Sequence, residues 1–320
     1  MNLHQQFTIR EVVTDSDFQE YHNITKQSLP EWSEPLQDIL DSFKNVPEGV
    51  KRYRVFLEEN GTPFGGVNVV QSFWQKDKGH YHADLNPKPN LTNDQYRFHF
   101  EHMIQASESQ GAKALNMWIC EIFPEIIQLA PEFGFEKDQE NPESRMFLSD
   151  FNPESFMASV QKLSESELEV LTMDELLERD PENGLRRYWL ADNLLSKDIP
   201  MPFEFVGTEF EIYERGFMRD KNSFSTILVV LDQEEIVATT MLFRNKILPD
   251  LFHTGLTAVH RDYRRRGIAK AIKTMNLTKA KELGGTTVNC DNEENNPMLQ
   301  LNLELGFKPF RTWTSFTRKS

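Results

Sequence analysis

One pattern of sequence elements occurs twice in this chain, and the repeat limits the folds that are open to it. A Gly-Phe pair closes an apolar run at Gly134 and again at Gly306, 172 positions later. Each pair follows the same predicted order of hairpin, third strand, helix, strand and helix. The hairpin strands are Tyr53–Leu57 and Gly65–Val70 in the first half, and Ile227–Leu231 and Ile236–Phe243 in the second. The repeat predicts two tandem domains of one fold, each with a closing strand region.

A strand-to-helix turn in the second half has the properties of an anion-binding site. Leu251–Val259 is rich in apolar and β-branched residues and predicts a strand, and a helical period begins at Ile268. The turn between them contains Arg264-Arg265-Arg266-Gly267-Ile268-Ala269. Unpaired N–H groups and the helix dipole favour negative charge there, and Gly267 would let a phosphate approach the backbone. A basic first turn on a surface helix would give the same short pattern.

A second pattern follows the helix and its next predicted strand, Thr286–Cys290. It reads Asn295-Asn296-Pro297-Met298-Leu299-Gln300-Leu301-Asn302-Leu303-Glu304-Leu305-Gly306-Phe307. With the turn before it, this combination resembles the GNAT N-acetyltransferase superfamily, whose acyl-CoA site has R-x-x-G-x-A followed by N-x-x-M-L-x-x-N-x-x-L-G-F. The resemblance covers roughly residues 225–318, and the tandem layout is similar to that of mycothiol synthase.

The resemblance implies an α/β (α+β) fold made of two GNAT-like domains, each a mixed, mostly antiparallel sheet flanked by helices. We place the domains at residues 1–150 and 151–320, joined near residues 148–165, a segment without clear periodicity. Only the second domain carries the cofactor pattern. The equivalent segment of the first, Thr92–Arg97, has no glycine, no arginine cluster and an acidic Asp94. The first domain is therefore predicted to be degenerate, without a cofactor loop.

The cofactor implied by the resemblance is acetyl-CoA, the acyl donor. Its diphosphate would bind the turn between strand and helix, its pantetheine arm would follow the strand, and two asparagines would position the pantetheine and sulfur end. The predicted cofactor-binding residues are Thr257, Ala258, Val259, Arg264, Arg265, Arg266, Gly267, Ile268, Ala269, Asn295 and Asn302. Gly255, inside the strand, indicates either a β-bulge or close packing.

The acid and the base of the reaction can be sought among a few residues of the second half. Many members of the superfamily have a tyrosine four residues before the glycine of L-G-F, where this chain has Asn302. Asn302 cannot donate a proton as an acid, so water or another side chain would have to protonate the leaving thiolate. His253 and Asp250 are the candidate bases, since an imidazole with a pKa near 6.5 suits the task.

Composition restricts the location and the partners. The net charge of −15 argues against nucleic acid and anionic membranes as partners. The chain has no apolar stretch of about 18 residues, and Met1–Gln6 lacks signal-peptide features. Cys120 and Cys290 are predicted to be reduced core thiols of a cytoplasmic protein. No metal site is predicted. Prolines, phenylalanines and carboxylates in the insertion Lys197–Asp220 are candidates for an acceptor pocket.

The sequence therefore predicts an N-acetyltransferase that moves the acetyl group from acetyl-CoA to the amine of a small acceptor by direct attack. Direct attack is favoured because the strand Leu251–Val259 contains no cysteine that could form an acyl-enzyme. The alternative is a catalytically weak acyl-CoA-binding protein with a regulatory or interaction role. A nucleotide-binding protein is disfavoured, since G-x-x-x-x-G-K-[ST] is absent. Acceptor identity and oligomeric state are not predicted.

Overall fold

A computed structural model describes residues 6–44, 48–72, 75, 77–199 and 204–319 of the chain. The α-helices are α1 Asp15–Ser28, α2 Leu36–Lys44, α3 Asn93–Ser109, α4 Pro124–Leu129, α5 Met157–Ser164, α6 Met173–Arg179, α7 Gly184–Ser196, α8 Phe210–Phe217, α9 Ile268–Glu282 and α10 Pro297–Leu305. The strands are β1 Phe7–Glu11, β2 Arg52–Glu59, β3 Thr62–Gln71, β4 His80–Pro87, β5 Ala114–Cys120, β6 Glu136–Phe147, β7 Glu169–Thr172, β8 Ile227–Asp232, β9 Glu235–Arg244, β10 Leu251–Val259, β11 Thr287–Asp291 and β12 Lys308–Lys319.

The chain divides into two compact units. The first contains residues 1–141 and 312–320, and the second contains residues 142–311. In the first unit, β1, β2, β3 and β4 pair in antiparallel order and β4 pairs with β5 in parallel. Apolar side chains of this sheet pack against α3 and α4 to form its main core. The mixed, mostly antiparallel sheet confirms the predicted fold class for this half.

The second unit repeats this arrangement. Strands β7, β8, β9 and β10 pair in antiparallel order, and β10 pairs with β11 in parallel. One core lies on the face covered by α9, where Ile268, Ala271 and Ile272 are buried. Another lies on the face covered by α7 and α8, where Tyr188 and Phe217 are buried. The apolar faces of these helices thus hold them against opposite sides of the sheet.

The closing strand of each unit comes from the other half of the sequence. In the first unit, β5 pairs with the end of β12, from Trp313 opposite Cys120 to Lys319 opposite Ala114. In the second unit, β11 pairs with the end of β6, where Phe147 lies opposite Thr287. The two units of the structure therefore differ from a single domain boundary after residue 150, because each unit takes its closing strand from the other half of the sequence.

Two further predictions can be compared with the structure. Both cysteines are free and buried, as predicted. The joining segment near residues 148–165 contains helix α5 and is not an irregular linker. Among the described residues, we find no helix of a length and apolar character suited to crossing a membrane.

Candidate active site

Strand β10 is irregular at its centre. Its register against β9 shifts between Thr254 and Thr257, so a β-bulge contains Gly255. A Cβ added to Gly255 would lie 2.6 Å from Cε2 of Phe243 and 3.0 Å from Cβ of Met241. Both interpretations of this glycine therefore hold, since it forms the bulge and also packs too closely to admit a side chain.

Strands β10 and β11 separate on one side of this bulge. Their described pairing runs from Leu251 opposite Thr287 to His253 opposite Asn289. Beyond that point lies a cavity of about 240 Å³. It is lined by Ile199, Thr254, Gly255, Leu256, Thr257, Lys273, Cys290, Asp291, Asn292, Asn296, Met298 and Asn302. The cavity thus lies within the second unit, where two neighbouring strands diverge and α9 and α10 contribute side chains.

The turn after β10 presents free backbone donors. Arg265 and Gly267 have positive φ angles of 64° and 87°, and helix α9 begins without a side-chain cap. Among the residues that the structure describes, no acceptor is found for the backbone N–H groups of residues 265–270. An added Cβ at Gly267 would meet no atom within 4 Å. The turn is therefore an open, donor-rich helix N-terminus, the type of site that binds phosphate.

Side chains of the turn have unequal roles. Asp198 accepts hydrogen bonds from Arg261, at 3.1 Å from Nε, and from Arg264. The arginine hydrogen bonds lower the pKa of the Asp198 carboxyl to about 2. Nε of Arg264 also donates to the Val259 carbonyl at 2.9 Å. Arg266 donates to the Asp262 carbonyl at 2.7 Å. All three arginines are exposed, and among the described residues no side-chain hydrogen bond of Arg265 is found. Arg264 and Arg266 thus support the turn itself, and Arg265 is the arginine most available to a ligand.

The equivalent helix of the first unit begins differently. Thr92 caps α3, and its hydroxyl accepts from the Gln95 N–H while the Gln95 side chain accepts from the Thr92 N–H at 2.8 Å. This capping box occupies donors that are free in the second unit. The Gln95 amide also donates to Glu59 at 3.1 Å. The N-terminus of α3 is therefore closed by protein groups and has an acidic neighbour.

Of the two predicted asparagines, one lines the cavity. Asn302 is fully buried, and its Nδ2 lies 3.0 Å from the Cys290 sulfur and 2.6 Å from Oδ1 of Asn292. Asn295 is exposed, and its side chain donates to Glu293 at 2.8 Å. The neighbouring Asn296 caps α10 and lines the cavity in its place. Thr257 lines the cavity, whereas the Val259 side chain belongs to the core and Ala258 is paired within the sheet.

The candidate bases from the sequence do not line the cavity. Asp250 is exposed at the start of β10, where its carboxylate accepts from the Thr286 hydroxyl at 3.0 Å. His253 pairs with Phe243, and its Nε2 lies 3.3 Å from the Asn245 amide. Because of the bulge, His253 and Leu256 share the sheet face that packs against α7 and α8. Their roles as bases remain predictions.

Sequence reasoning missed two buried ionisable residues of the second unit, of which Lys273 lines the cavity. Lys273 on α9 lines the cavity with only 3% of its surface exposed. Asp192 on α7 lies beside Tyr188 and Tyr213, and burial raises the pKa of its carboxyl to about 6. The same helical pattern that indicated the core contained the signal, because Lys273 lies four residues before buried Leu277 and Asp192 four residues after buried Tyr188.

The insertion Lys197–Asp220 is described in part. Residues 209–215 lie at and within α8, whose Tyr213 and Phe217 stack with ring centroids 5.2 Å apart. Pro200, Met201, Pro202 and Phe203, predicted to contribute to an acceptor pocket, lie outside the described residues. Among the residues that are described, no group of three or more metal-ligating side chains is found.

Comparisons with known proteins agree with this geometry. A sequence model of the Acetyltransferase (GNAT) family matches residues 191–307. A tandem GNAT protein from the clavulanic acid biosynthesis pathway superposes with a TM-score of 0.71 at 14% identity, over 98% of both chains. A GCN5-related N-acetyltransferase from Sphaerobacter thermophilus gives 0.68 at 13% identity, over 98% of this chain and 95% of that one.

An acetyltransferase of the GNAT family from Colwellia psychrerythraea gives a TM-score of 0.59 at 14% identity, over 98% of this chain and 100% of that one. No curated protein gives a significant sequence match. At these identities the structural likeness shows the fold alone, and the sequence match is limited to residues 191–307. Residues 191–307 thus match the Acetyltransferase (GNAT) family, within a chain that has the fold of tandem GNAT proteins.

Proposed function

We propose that the second unit binds one acetyl-CoA and transfers its acetyl group to an amine. The observation that carries this proposal is the joint occurrence of an uncapped helix N-terminus after β10 and a cavity where β10 and β11 diverge. The N–H groups of the turn would hold the diphosphate, with Arg265 as a charged donor. The cavity, with its threonines and asparagines, would hold the pantetheine and thioester end.

The first unit is proposed to bind no acyl-CoA. Its support is the capping box of Thr92 and Gln95, which occupies the donors that a diphosphate would need. The described pairing of β4 with β3 also continues from Pro87 to Tyr81 without a bulge, unlike that of β10 with β9. The two domains predicted at residues 1–150 and 151–320, the first degenerate and the second binding acyl-CoA, stay a proposal beside the two units of the structure.

Release of the CoA thiol tests the transferase directly. We expect acetyl-CoA with a panel of amines to give thiol release above the amine-free background for at least one class of acceptor. Diamines, amino acids, amino sugars and peptide N-termini, each with its N-acetylated form as the matched control, would cover the acceptor chemistries. Acetyl-CoA binding without thiol release on any amine would favour the alternative, a catalytically weak acyl-CoA-binding protein, which the absent tyrosine at Asn302 also favours.

Direct attack by the amine is proposed although Cys290 lines the cavity. Burial raises the pKa of the Cys290 thiol, so the thiolate that could form an acyl-enzyme is disfavoured. The thiol also lies 3.0 Å from the Asn302 amide and is part of the cavity wall. We expect Cys290→Ala to retain turnover and the kinetics to require a ternary complex. Loss of turnover with trapping of an acetylated wild-type Cys290 would contradict direct attack.

Asp192, which lies beside Tyr188 on the sheet face where His253 also lies, is proposed as a third candidate base beside Asp250 and His253. With a carboxyl pKa of about 6, it would accept a proton from the attacking ammonium near neutral pH. Turnover should then rise with pH through about 6, and Asp192→Asn should flatten this rise while acetyl-CoA affinity is retained. His253→Ala is the matched test of the histidine. A pH–rate profile unchanged in Asp192→Asn but flattened in His253→Ala would assign the base to His253.

The raised pKa of the Asp192 carboxyl also predicts how the stability of the protein depends on pH. The folded pKa of Asp192 is raised from 3.8 to about 6, so the folded state holds this proton more tightly than the unfolded chain. The stabilisation that the protonated Asp192 carboxyl contributes to the folded state is fully present below pH 3.8, the unfolded pKa. It is lost as the pH rises through about 6, the folded pKa. Asp192→Asn should therefore melt at a higher temperature than the parent at pH 7.

A cytoplasmic location and the absence of a nucleic-acid partner remain predictions from composition.

A further inference from the structure

The cavity is lined by a buried amine, the side chain of Lys273, for which no protein partner is found among the described residues. Lys273 is 3% exposed and lines the cavity. Among the described residues, no hydrogen-bond acceptor or carboxylate is paired with its Nζ, and the Phe307 ring centroid lies 5.9 Å away. Burying an unpaired ammonium costs several kcal/mol unless the site compensates for it. A buried polar group directed at an open cavity is explained most simply by a ligand that fills the cavity.

The surroundings of Lys273 indicate the chemistry of that ligand. Titratable groups that line the cavity with it are Cys290 and Asp291, both on β11. On α10, Glu304 pairs instead with Lys270, at 2.8 Å. Burial lowers the pKa of the Lys273 ammonium, and the nearby Cys290 thiol opposes this effect. Among the described residues that line the cavity, Lys273 is thus the cation, and the Cys290 thiol lies near it.

A thioester donor needs a cation or acid at one atom, the sulfur of the departing thiolate. The family tyrosine that would serve there is replaced by Asn302, whose Nδ2 already donates to Asn292 at 2.6 Å. Asn302 lines the same cavity as Lys273. The cavity therefore contains the ammonium of Lys273 but no tyrosine at position 302. An ammonium, like a phenol, can stabilise a thiolate and give it a proton.

We propose that Lys273 stabilises the thiolate of the departing CoA and gives it a proton. This rests on the proposed acetyl transfer. The amine nitrogen attacks the thioester carbon, the C–S bond breaks, and its electron pair goes to sulfur. A proton passes from the Lys273 ammonium to sulfur, giving CoA thiol and neutral Lys273. Lys273 regains a proton from water, and the nitrogen of the new amide loses one, so the overall reaction is balanced.

The energetics fit this assignment. A CoA thiol has a pKa of roughly 8.5, well below that of an ordinary lysine at about 10.4. Proton transfer between the two is most effective when their pKa values are close. Burial moves Lys273 in that direction. An exposed lysine would stabilise the thiolate less, because water screens its charge.

The test is a titration of the thiol of bound CoA, followed through the ultraviolet absorbance of the thiolate. The desulfo analogue of CoA serves as the blank that removes the signal of the two cysteines of the chain. In the wild-type protein, the bound thiol should have a pKa at least about one unit below that in Lys273→Met. Lys279→Met, at a half-buried position on the same helix whose side chain is 43% exposed, is the matched control and should equal the wild type.

Two further readouts separate chemistry from structure. Lys273→Met should lower kcat about a hundredfold with little change in KM for acetyl-CoA, and Lys273→Arg should recover part of the loss. The ligand-free Lys273→Met protein should melt about 2–4 °C higher, since it no longer buries an unpaired ammonium. If Lys273→Met does not fold, Lys273→Gln replaces it in each measurement.

The outcomes are distinguishable. If wild-type protein binds no CoA, the proposed function itself fails. If CoA binds and its thiol has the same pKa in wild type and variant, the role of Lys273 is overturned while acetyl transfer stands. A variant that melts lower than wild type and leaves the bound thiol unchanged would make Lys273 a structural residue and also overturn the proposal.

Discussion

Gly267→Glu should abolish acetyl-CoA binding, with an affinity loss of at least about a hundredfold. The carboxylate would stand at the N-terminus of α9, where the diphosphate is proposed to bind, and close like charges cost several kcal/mol. A Cβ added at Gly267 would meet no protein atom within 4 Å, so the new side chain would begin in open space and not in the core. Isothermal titration calorimetry with acetyl-CoA would measure the loss.

The chain offers a matched control at the other end of the same helix. Gly284 has φ +83°, close to the +87° of Gly267, and an added Cβ there also meets nothing within 4 Å. Gly284→Glu therefore introduces the same charge and a similar left-handed strain of about 1–2 kcal/mol. It should lose stability to the same extent and keep its affinity for acetyl-CoA. Equal affinity losses in both variants would show that strain, and not the diphosphate site, explains the result.

Arg311→Met should lower the free energy of unfolding of the second unit by about 3–5 kcal/mol. Arg311 Nε and a terminal nitrogen contact the two carboxylate oxygens of Glu143 at 2.6 and 3.1 Å, and the two side chains are only 9% and 0% exposed. Removing one partner leaves the other charge buried. Urea unfolding followed by tryptophan fluorescence and circular dichroism would measure the change.

An exposed ion pair of the same unit provides the comparison. Lys308 and Asp150 lie 3.4 Å apart, with side chains 73% and 57% exposed. Lys308→Met should change stability by less than about 1 kcal/mol, because water screens this pair. The double variant Glu143→Leu with Arg311→Met should recover much of the loss of the single variant. A small effect of Arg311→Met alone would contradict the assignment of a buried, coupled pair.

Local structure near the site could be predicted from the sequence because its signals are local. The strand β10 has the predicted bounds, and α9 begins at Ile268 as predicted. Asn296 caps α10, and Gly306 ends it with a φ of 104°. Glycine, proline and asparagine impose these starts and ends through backbone geometry alone. Each of these features depends on a few adjacent residues.

The exchange of closing strands could not be predicted in the same way. The choice between β6 and β12 as the partner of β5 is a long-range one, and Trp313 pairs with Cys120 across most of the chain. Strand β6 is largely polar in sequence, so its apolar pattern does not identify a partner. The roles of Lys273 and Asp192 were missed for a related reason. A charged residue on a buried helix face is recognised as functional only when the cavity or neighbour it faces is known.

Calorimetric titration of acetyl-CoA into the intact chain tests the central claim most directly. The uncapped N-terminus of α9 and the capped N-terminus of α3 predict binding of one molecule per chain, which Gly267→Glu abolishes. Binding of two molecules would contradict the proposal that the first unit is silent. No binding at all would contradict the assignment of the turn after β10 and the adjoining cavity as an acyl-CoA site.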